Sequence, residues 1–479
     1  MTAANPKRPV ITFVIVSIGL FMVTLDNLVV STALPVIRVD LGATLEQLEW
    51  TVNAYTLTFA AFLLTGAAIG DRFGRRRMFA LGVVLFSAAS AAAALAPTTN
   101  ALVAARAVQG LGAALVTPLS LTLLSEAVPD GKRGLAIGAW SGVSGLGVAM
   151  GPVVGGAITE GISWQWIFWV NVPIGLVVAP LAAWKLVESY GPDRGLDPRG
   201  LLLAIFGLFA LTFGVVRASA LGWGSTTVVV CLAVGVILIA LFIVAESRAE
   251  EPMLPLRFFR SRAFSATNAA SFAMFFGIFG SIFFLSQFFI TAQGLSPLQA
   301  GVRILPWTAM PIFVAPVAGL LSDRIGARPL MALGLALQAF AMFWVAQVAA
   351  VDTPYSEFIP AFIAAGVGMS LVFAPSANAV LSSVKPKEAG KASGATNTIR
   401  ELGGVFGVAV LATVFAAAGG YASPQDYVDG LRAALPVGAV VLVIGALVAL
   451  LIPRHRQPGA KVAPQTDAPQ VGRSVPSSL

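Results

Sequence analysis

Four ionisable residues stand inside stretches otherwise apolar enough to lie within a lipid bilayer: Asp26, Arg106, Arg400 and Glu401. A charge at the centre of a hydrocarbon core costs roughly 2.5–3.5 kcal/mol on insertion scales, so such a residue usually faces a partner or a water-filled cavity. A carboxyl group in that position can take up and release a proton. Burial favours its neutral form and a nearby guanidinium favours its charged form. Asp26 lies about 14 residues into the first apolar run, roughly 20 Å deep at 1.5 Å per residue. Arg106 lies about 6 residues into a run that crosses in the opposite sense, roughly 10 Å deep. In a core roughly 30 Å thick these depths are comparable, and the two side chains can face each other. The expectation is that Asp26 carries a coupling proton and that Arg106 sets how readily it does so, with a permanent structural ion pair as the alternative. Arg400 and Glu401 are neighbours in sequence, and successive helical residues point about 100° apart, so both are not expected to face one cavity squarely. Glu401 is a second candidate for the proton or for a cationic ligand, against the alternative of a helix–helix hydrogen bond.

Other chemistries find no support in the sequence. The one cysteine, Cys231, lies within an apolar run, and the one histidine, His455, follows the last of them, so a His/Cys metal site is excluded. No glycine-rich loop leads into Lys-Ser/Thr, which leaves no nucleotide-binding loop of that type. No cofactor is expected; the energy is expected to come from a gradient or from a partner protein. The formal charge of +8 comes from basic residues scattered through short loops, so nucleic acid is not an expected partner.

The elements that must hold these residues are helices. Of the 479 residues, 57% are hydrophobic and 11% charged, with a mean hydropathy of +0.86. A soluble domain carries roughly 25% charged residues. Apolar runs of about 20 residues, each long enough to cross a bilayer, recur along the chain. Helices satisfy their own backbone polar groups in lipid, so an all-α polytopic bundle is expected. Spans are placed near 12–36, 50–70, 78–96, 100–124, 134–158, 166–187, 199–216, 225–245, 264–290, 300–321, 329–349, 358–383, 393–418 and 434–452. The first run is longer than a signal-peptide core and contains Asp26, so it reads as a retained span. Basic residues concentrate in every second loop, including 71–77, 129–133, 188–199, 246–262, 322–329 and 385–391. Basic loops stay cytoplasmic, which predicts an even number of spans, both termini inside and fourteen helices. The polar tail 454–479 is expected to be disordered.

An internal repeat supplies the architecture. Asp71-Arg72-Phe73-Gly74-Arg75-Arg76 follows the second span and Asp323-Arg324-Ile325-Gly326-Ala327-Arg328 follows the tenth. Both read Asp-Arg-x-Gly-x-Arg. Two six-helix halves would put the second copy after the eighth span. It comes two helices late, so two helices are inserted between the halves. The expected units are 1–187, a six-helix bundle; 188–262, the inserted pair with its linkers; 263–453, a second six-helix bundle; and the tail.

At this point the chain resembles the major facilitator superfamily, and within it the fourteen-helix drug:proton antiporter subgroup. The repeat is similar to the family's loop signature. Further matches run in order along almost the whole chain: Leu25-Asp26 with Ala33-Leu34-Pro35, Trp50 to Tyr55, Arg106 to Gly110 with Gly112, Trp166 to Pro173, Gln293 to Pro306 and Arg400 to Gly407. Gly147, Gly151, Pro152, Gly155 and Gly156 match the fifth-helix motif that marks antiporters. Two departures stand out. Ala67 occupies a usual glycine position before the first loop, whereas Gly319 is kept before the second, and Gln165 stands where a basic residue is common.

The resemblance implies antiport: protons enter while a small lipophilic, often cationic compound leaves by alternating access, as in multidrug or antibiotic efflux. It implies that the fifth-helix glycines and Pro152 restrain proton leak, with close helix packing as an equal alternative. The loop residues Asp71, Arg72, Gly74, Arg75, Arg76, Asp323, Arg324, Gly326 and Arg328 are expected to hold the inward gate, or else only to fix topology. Phenylalanines of the ninth span at spacings of three and four, including Phe276, Phe279 and Phe283, give a face that suits either a cavity for bulky apolar compounds or lipid. Asn53, Tyr55, Gln109 and Gln287 are polar candidates for lining that cavity. One proton crossing 100 mV supplies roughly 2.3 kcal/mol, enough for about fifty-fold accumulation. Export of one endogenous metabolite is the alternative, and the scarcity of polar groups in the spans argues against sugar-type uptake. The expected setting is a bacterial inner membrane, with the lipid bilayer, protons and substrate as partners and a monomer sufficient.

Overall fold

A computed structural model describes residues 8–43, 45–191, 198–249, 252–385 and 388–453. The tail from 454, with His455, lies outside the described residues. Fourteen helices are long and apolar enough to cross a membrane, and no strand occurs among the described residues. In chain order they are α1 (Arg8–Asp40), α2 (Leu45–Phe73), α3 (Arg75–Ala94), α4 (Thr99–Ala127), α5 (Asp130–Gly161), α6 (Trp166–Lys185), α7 (Pro198–Leu221), α8 (Thr226–Arg248), α9 (Arg262–Ala292), α10 (Leu298–Ile325), α11 (Ala327–Val348), α12 (Ile359–Ser382), α13 (Ala389–Ala418) and α14 (Pro424–Ala449).

Local chemistry sets where these helices start and turn. The hydroxyls of Thr98, Ser225, Ser261, Ser296 and Ser423 each accept a backbone N–H of the first turn that follows, and Ser296 forms a reciprocal box with Gln299. The two copies of Asp-Arg-x-Gly-x-Arg make the α2–α3 and α10–α11 turns. Their glycines, Gly74 and Gly326, have φ of 105° and 83°, a region that side chains with a Cβ rarely enter. α14 starts at Pro424 rather than near 434. Its first turns carry Gln425, Asp426, Asp429 and Arg432, so apolar length alone understates it. The Ser423 cap and the Tyr427 hydroxyl, which donates to Phe284 O at 2.8 Å, hold that end in place. α6 is broken at Val170, α10 at Ala309, and α9 ends in a wider π turn over Phe288–Ala292.

α1 to α6 pack mainly on one another, with α1 on α5, α2 on α4 and α3 on both α4 and α6. α9 to α14 form the second bundle around contacts of α9 with α13 and α11 with α12 and α14. The bundles meet along two seams, α5 against α10 and α2 against α13. The inserted helices α7 and α8 pair with each other, and α7 lies against both α2 and α13. The architecture is therefore two six-helix bundles with two inserted helices resting on one seam between them.

Close approach on both sides of α5 depends on glycine. A methyl placed on Gly151 would lie 2.7 Å from Leu28 Cβ of α1, and one on Gly155 2.8 Å from Val29 O. On its other side α5 meets α10: a methyl on Gly156 would lie 2.8 Å from Leu298 Cα, and one on Gly138 2.9 Å from Ala315 O. α5 is thus held between α1 and α10 along much of its length, with Pro152 facing Gly301.

Candidate transport site

The structure brings Asp26 and Arg106 into one buried network inside the first bundle. Arg106 Nη1 donates to Asp26 Oδ2, and both side chains are fully buried. Arg106 also donates to Gln109 Oε1 at 2.9 Å and, through Nε, to Thr51 O at 3.2 Å. Its guanidinium lies 4.4 Å from the centre of the Tyr55 ring and 5.8 Å from that of Phe168. Asp26 Oδ1 accepts from Asn171 at 2.9 Å and from Gln109 at 3.2 Å, and both of these amides reach Ser90 Oγ. Five helices, α1, α2, α3, α4 and α6, each supply at least one member. The carboxylate therefore has three donors and is fully buried in this arrangement.

A separate cavity of about 70 Å³ lies between the two bundles. The first bundle lines it with Thr24, Asn27, Phe59, Thr117, Trp140 and Ser144 among others, and the second with Phe275, Phe279, Phe373, Asn397, Arg400 and Glu401. Asp26 is not on its wall, because the adjacent Asn27 takes the inward direction and leaves Asp26 about 100° away, pointing into its own bundle. Arg400 and Glu401 both reach the wall, which differs from the sequence expectation. The two are long side chains at the middle of α13, and the cavity spans a wide arc of that helix. Arg400 donates to Ser376 Oγ at 2.7 Å and its guanidinium lies 5.7 Å from the ring centres of both Phe275 and Phe373.

Of the residues expected to line a cavity, Phe279 does so. Gln109 and Tyr55 instead serve the Asp26 network, since their positions on α4 and α2 face the interior of the first bundle. Phe276 is buried against α13, Phe283 stacks edge-on against Phe284, and Asn53 and Gln287 are half-buried away from the wall. A helix shows only part of its circumference to a central cavity, and composition does not reveal which part. Asn171, Ser90, Trp140, Asn27 and Ser376 escaped the sequence reading. Asn171 alone left a signal there, inside the Trp166 to Pro173 match.

A third polar cluster surrounds the first repeat. Arg75, fully buried, donates to Asp71 Oδ1 at 2.7 Å and pairs with Glu126 of α4. The segment after α6 runs alongside: Arg75 N donates to Ser189 O at 2.9 Å, Gly191 N to Asp71 O at 2.8 Å, and Arg76 N to Glu188 Oε1 at 2.9 Å. Asp71 also lies at the start of α13, where a methyl on Gly390 would be 2.8 Å from its Oδ2. That helix end favours negative charge. Arg72 is half-buried beside Phe73. The second repeat is different: Asp323 and Arg324 are exposed and Arg328 half-buried. Asp323 accepts from Asn378 at 2.6 Å, and none of the three forms an ion pair among the described residues.

A helical membrane protein of two bundles, with a largely apolar cavity at their interface and buried charges on both sides of it, has the architecture of a carrier. The comparisons agree: a profile of the Major Facilitator Superfamily matches residues 16–408 and 268–476, and the chain belongs to that superfamily, in its fourteen-helix drug-efflux subgroup. It is 35% identical over 424 residues to the tetracenomycin C resistance and export protein of Streptomyces glaucescens, covering 88% of this chain and 79% of that one. It is 34% identical over 413 residues to the multidrug resistance protein Stp of Mycobacterium tuberculosis, covering 86% and 76%. Among solved structures, the proton:xylose symporter XylE superposes with a TM-score of 0.67 at 16% identity, over 94% of this chain and 97% of that one, a likeness of fold.

Proposed function

We propose that the protein is a proton-coupled antiporter that exports small lipophilic, often cationic compounds by alternating access. The observation that carries this reading is Glu401, the one acidic residue on the wall of a cavity that both bundles line. A carboxyl group there can hold a proton when the cavity is empty and give it up when a cation arrives. Asp26 is the second proton site in this reading. Its network must loosen for the proton to exchange, which ties that step to movement of α1 against α4. The relatives that resist or export antibiotics support efflux. The tetracenomycin exporter favours, as a second reading, a transporter narrow in range that removes one endogenous compound.

The proposed setting is a bacterial cytoplasmic membrane, with both termini and the basic loops inside, a monomer as the working unit and no cofactor. The proposed units are those of residues 1–187, 188–262 and 263–453. In this orientation the Asp71–Arg75–Glu126 cluster closes the inward side, and the α5 glycines seal the path that protons would otherwise take between α1 and α10.

The test is proton release from energised everted vesicles on adding lipophilic cations, for the wild type, Asp26→Asn and Glu401→Gln. Release by the wild type and loss in Glu401→Gln is the expected result. Release undiminished in both variants sinks the assignment of the proton to these carboxyls. No release by inserted wild-type protein with any cation of the panel sides with the narrow exporter.

A further inference from the structure

We infer that Arg400 is the anion anchor of the substrate site, and that the cavity is built for amphoteric aromatic compounds, which carry an acidic oxygen and a basic nitrogen on one ring framework. The inference rests on reading the cavity between the bundles as the place where substrate binds.

Arg400 is 3% exposed, yet among the described residues it has no carboxylate partner. Its Nη2 donates to a neutral serine hydroxyl, and its Nε–H is buried without any acceptor. The adjacent Glu401 forms no ion pair with it. A buried guanidinium held by one neutral hydrogen bond is an expensive arrangement unless something else completes it. The other buried arginines among the described residues have their charge balanced from within, Arg106 by Asp26 and Arg75 by Asp71 and Glu126, although Nη2 of Arg106 also lacks an acceptor. Arg400 differs from both in lying on a cavity wall, where a ligand can reach it.

The surroundings define what that ligand looks like. Arg400 and Glu401 are the only charged residues on the wall, so the site carries one positive and one negative group that do not neutralise each other directly. The rings of Phe275 and Phe373, edge to face with centres 5.5 Å apart, lie side by side against the guanidinium, and Phe279 stacks on Phe275 with centres 5.6 Å apart. A planar ring system fits against these faces. A carboxylate or phenolate oxygen on it meets the free donor of Arg400, in a charge-assisted bond stronger than one between neutral groups. A basic nitrogen meets Glu401. Plain lipophilic cations use only half of this site. At about 70 Å³ the cavity must widen to admit any such compound, so the charges act as the wall parts around it.

Rhodamine B and its ethyl ester make a matched pair of probes: near pH 8 the first is a zwitterion with a free carboxylate, and the second is the same ring system as a plain cation. Binding to the purified full-length protein is read by fluorescence polarisation. The wild type is expected to bind rhodamine B at least tenfold more tightly than the ester. Arg400→Gln is expected to bring that preference to within twofold of unity, whereas Glu401→Gln weakens both dyes by similar factors. Arg400→Lys keeps the charge without the planar fork of donors and is expected to keep part of the preference, which decides the matter should Arg400→Gln not fold. A preference near unity in the wild type, or one that survives intact in Arg400→Gln, overturns the inference while leaving the cavity as the substrate site. If neither dye binds the wild type at all, this inference falls, and the reading of the cavity as the substrate site is left to the proton-release test.

Discussion

Removing the charge of Asp26 exposes how tightly the first bundle is wired. In Asp26→Asn the shape is kept, but Arg106 is left as a fully buried cation with Thr51 O, Gln109 Oε1 and the Tyr55 ring as its remaining company. Breaking a buried pair by neutralising one partner costs about 3–5 kcal/mol. The ring, 4.4 Å from the guanidinium, is there in the wild type as well, so it only keeps the cost at the low end of that range. A net loss of about 3 kcal/mol is expected. Arg106→Gln strands the carboxylate instead, with Gln109 and Asn171 as donors, and should cost a similar amount. The double variant strands no charge. Its loss should be about 2 kcal/mol, for imperfect packing and one or two unmade hydrogen bonds. The singles would sum to about 6 kcal/mol, so the coupling energy is expected near 4 kcal/mol in favour of the pair.

The assay is SDS-induced unfolding in mixed micelles, followed by tryptophan fluorescence and checked for reversibility, on all four proteins. Coupling below about 0.5 kcal/mol, the usual scatter for independent sites, would refute the argument. Such additivity would mean that solvent reaches the network and screens it. The result also bears on transport. Protonating Asp26 removes the same charge as Asp26→Asn, so the single-variant loss measures how strongly this arrangement resists taking up a proton. A loss of about 3 kcal/mol means that protonation must be accompanied by a rearrangement that offers Arg106 another partner or lets it reach water.

Four further variants follow from the packing. Gly151→Ala should lose about 1–3 kcal/mol from overpacking against Leu28; in proteoliposomes its passive proton leak should also rise, and an unchanged leak would assign the glycine to packing alone. Arg75→Gln leaves Asp71 and Glu126 without their shared cation and should cost about 3–5 kcal/mol in the same unfolding assay. Arg324→Gln, in the second repeat, where Ala327 stands at the position of Arg75, should stay within about 0.5 kcal/mol because that side chain is exposed and forms no ion pair among the described residues. Trp223→Phe removes the 2.7 Å hydrogen bond from the α7–α8 turn to Thr413 of α13 and should cost about 0.5–1.5 kcal/mol.

The fold was legible because two of its determinants act over long stretches. Lipid thickness fixes how many apolar residues a helix needs, and the basic residues of alternate loops fix the parity of the count. Even the inserted pair could be read, from the late return of Asp-Arg-x-Gly-x-Arg. The site was legible in part, and the dividing line is angular. Depth along a helix follows from counting residues, so Asp26 and Arg106 could be matched. Direction around a helix does not follow from counting. Asn27 rather than Asp26 faces the cavity, and Gln109 turns inward to Asp26 rather than toward substrate. On α13 the pattern misled in the other direction, because two neighbours with long side chains share one wide wall. Glu126 and Glu188 gave no signal at all: each is an ordinary acid near a helix end until the fold brings Arg75 or the start of α3 against it.

The two repeats share a backbone turn but not an environment, and the inserted helices explain why. The chain leaving α6 toward α7 must cross the α2–α3 turn, which brings Glu188, Ser189 and Gly191 onto the first copy. After the insertion, α7 lies against both α2 and α13 and keeps the start of α13 beside Asp71. The second copy has only Asn378 as a side-chain partner among the described residues. Displacing the first turn therefore means breaking contacts with α4, with the linker and with α13 together, at the cost of exposing a buried arginine. Displacing the second breaks a single hydrogen bond at an exposed aspartate. Symmetry in the sequence thus gives unequal strength in the fold: the α10–α11 turn is the more weakly held of the two.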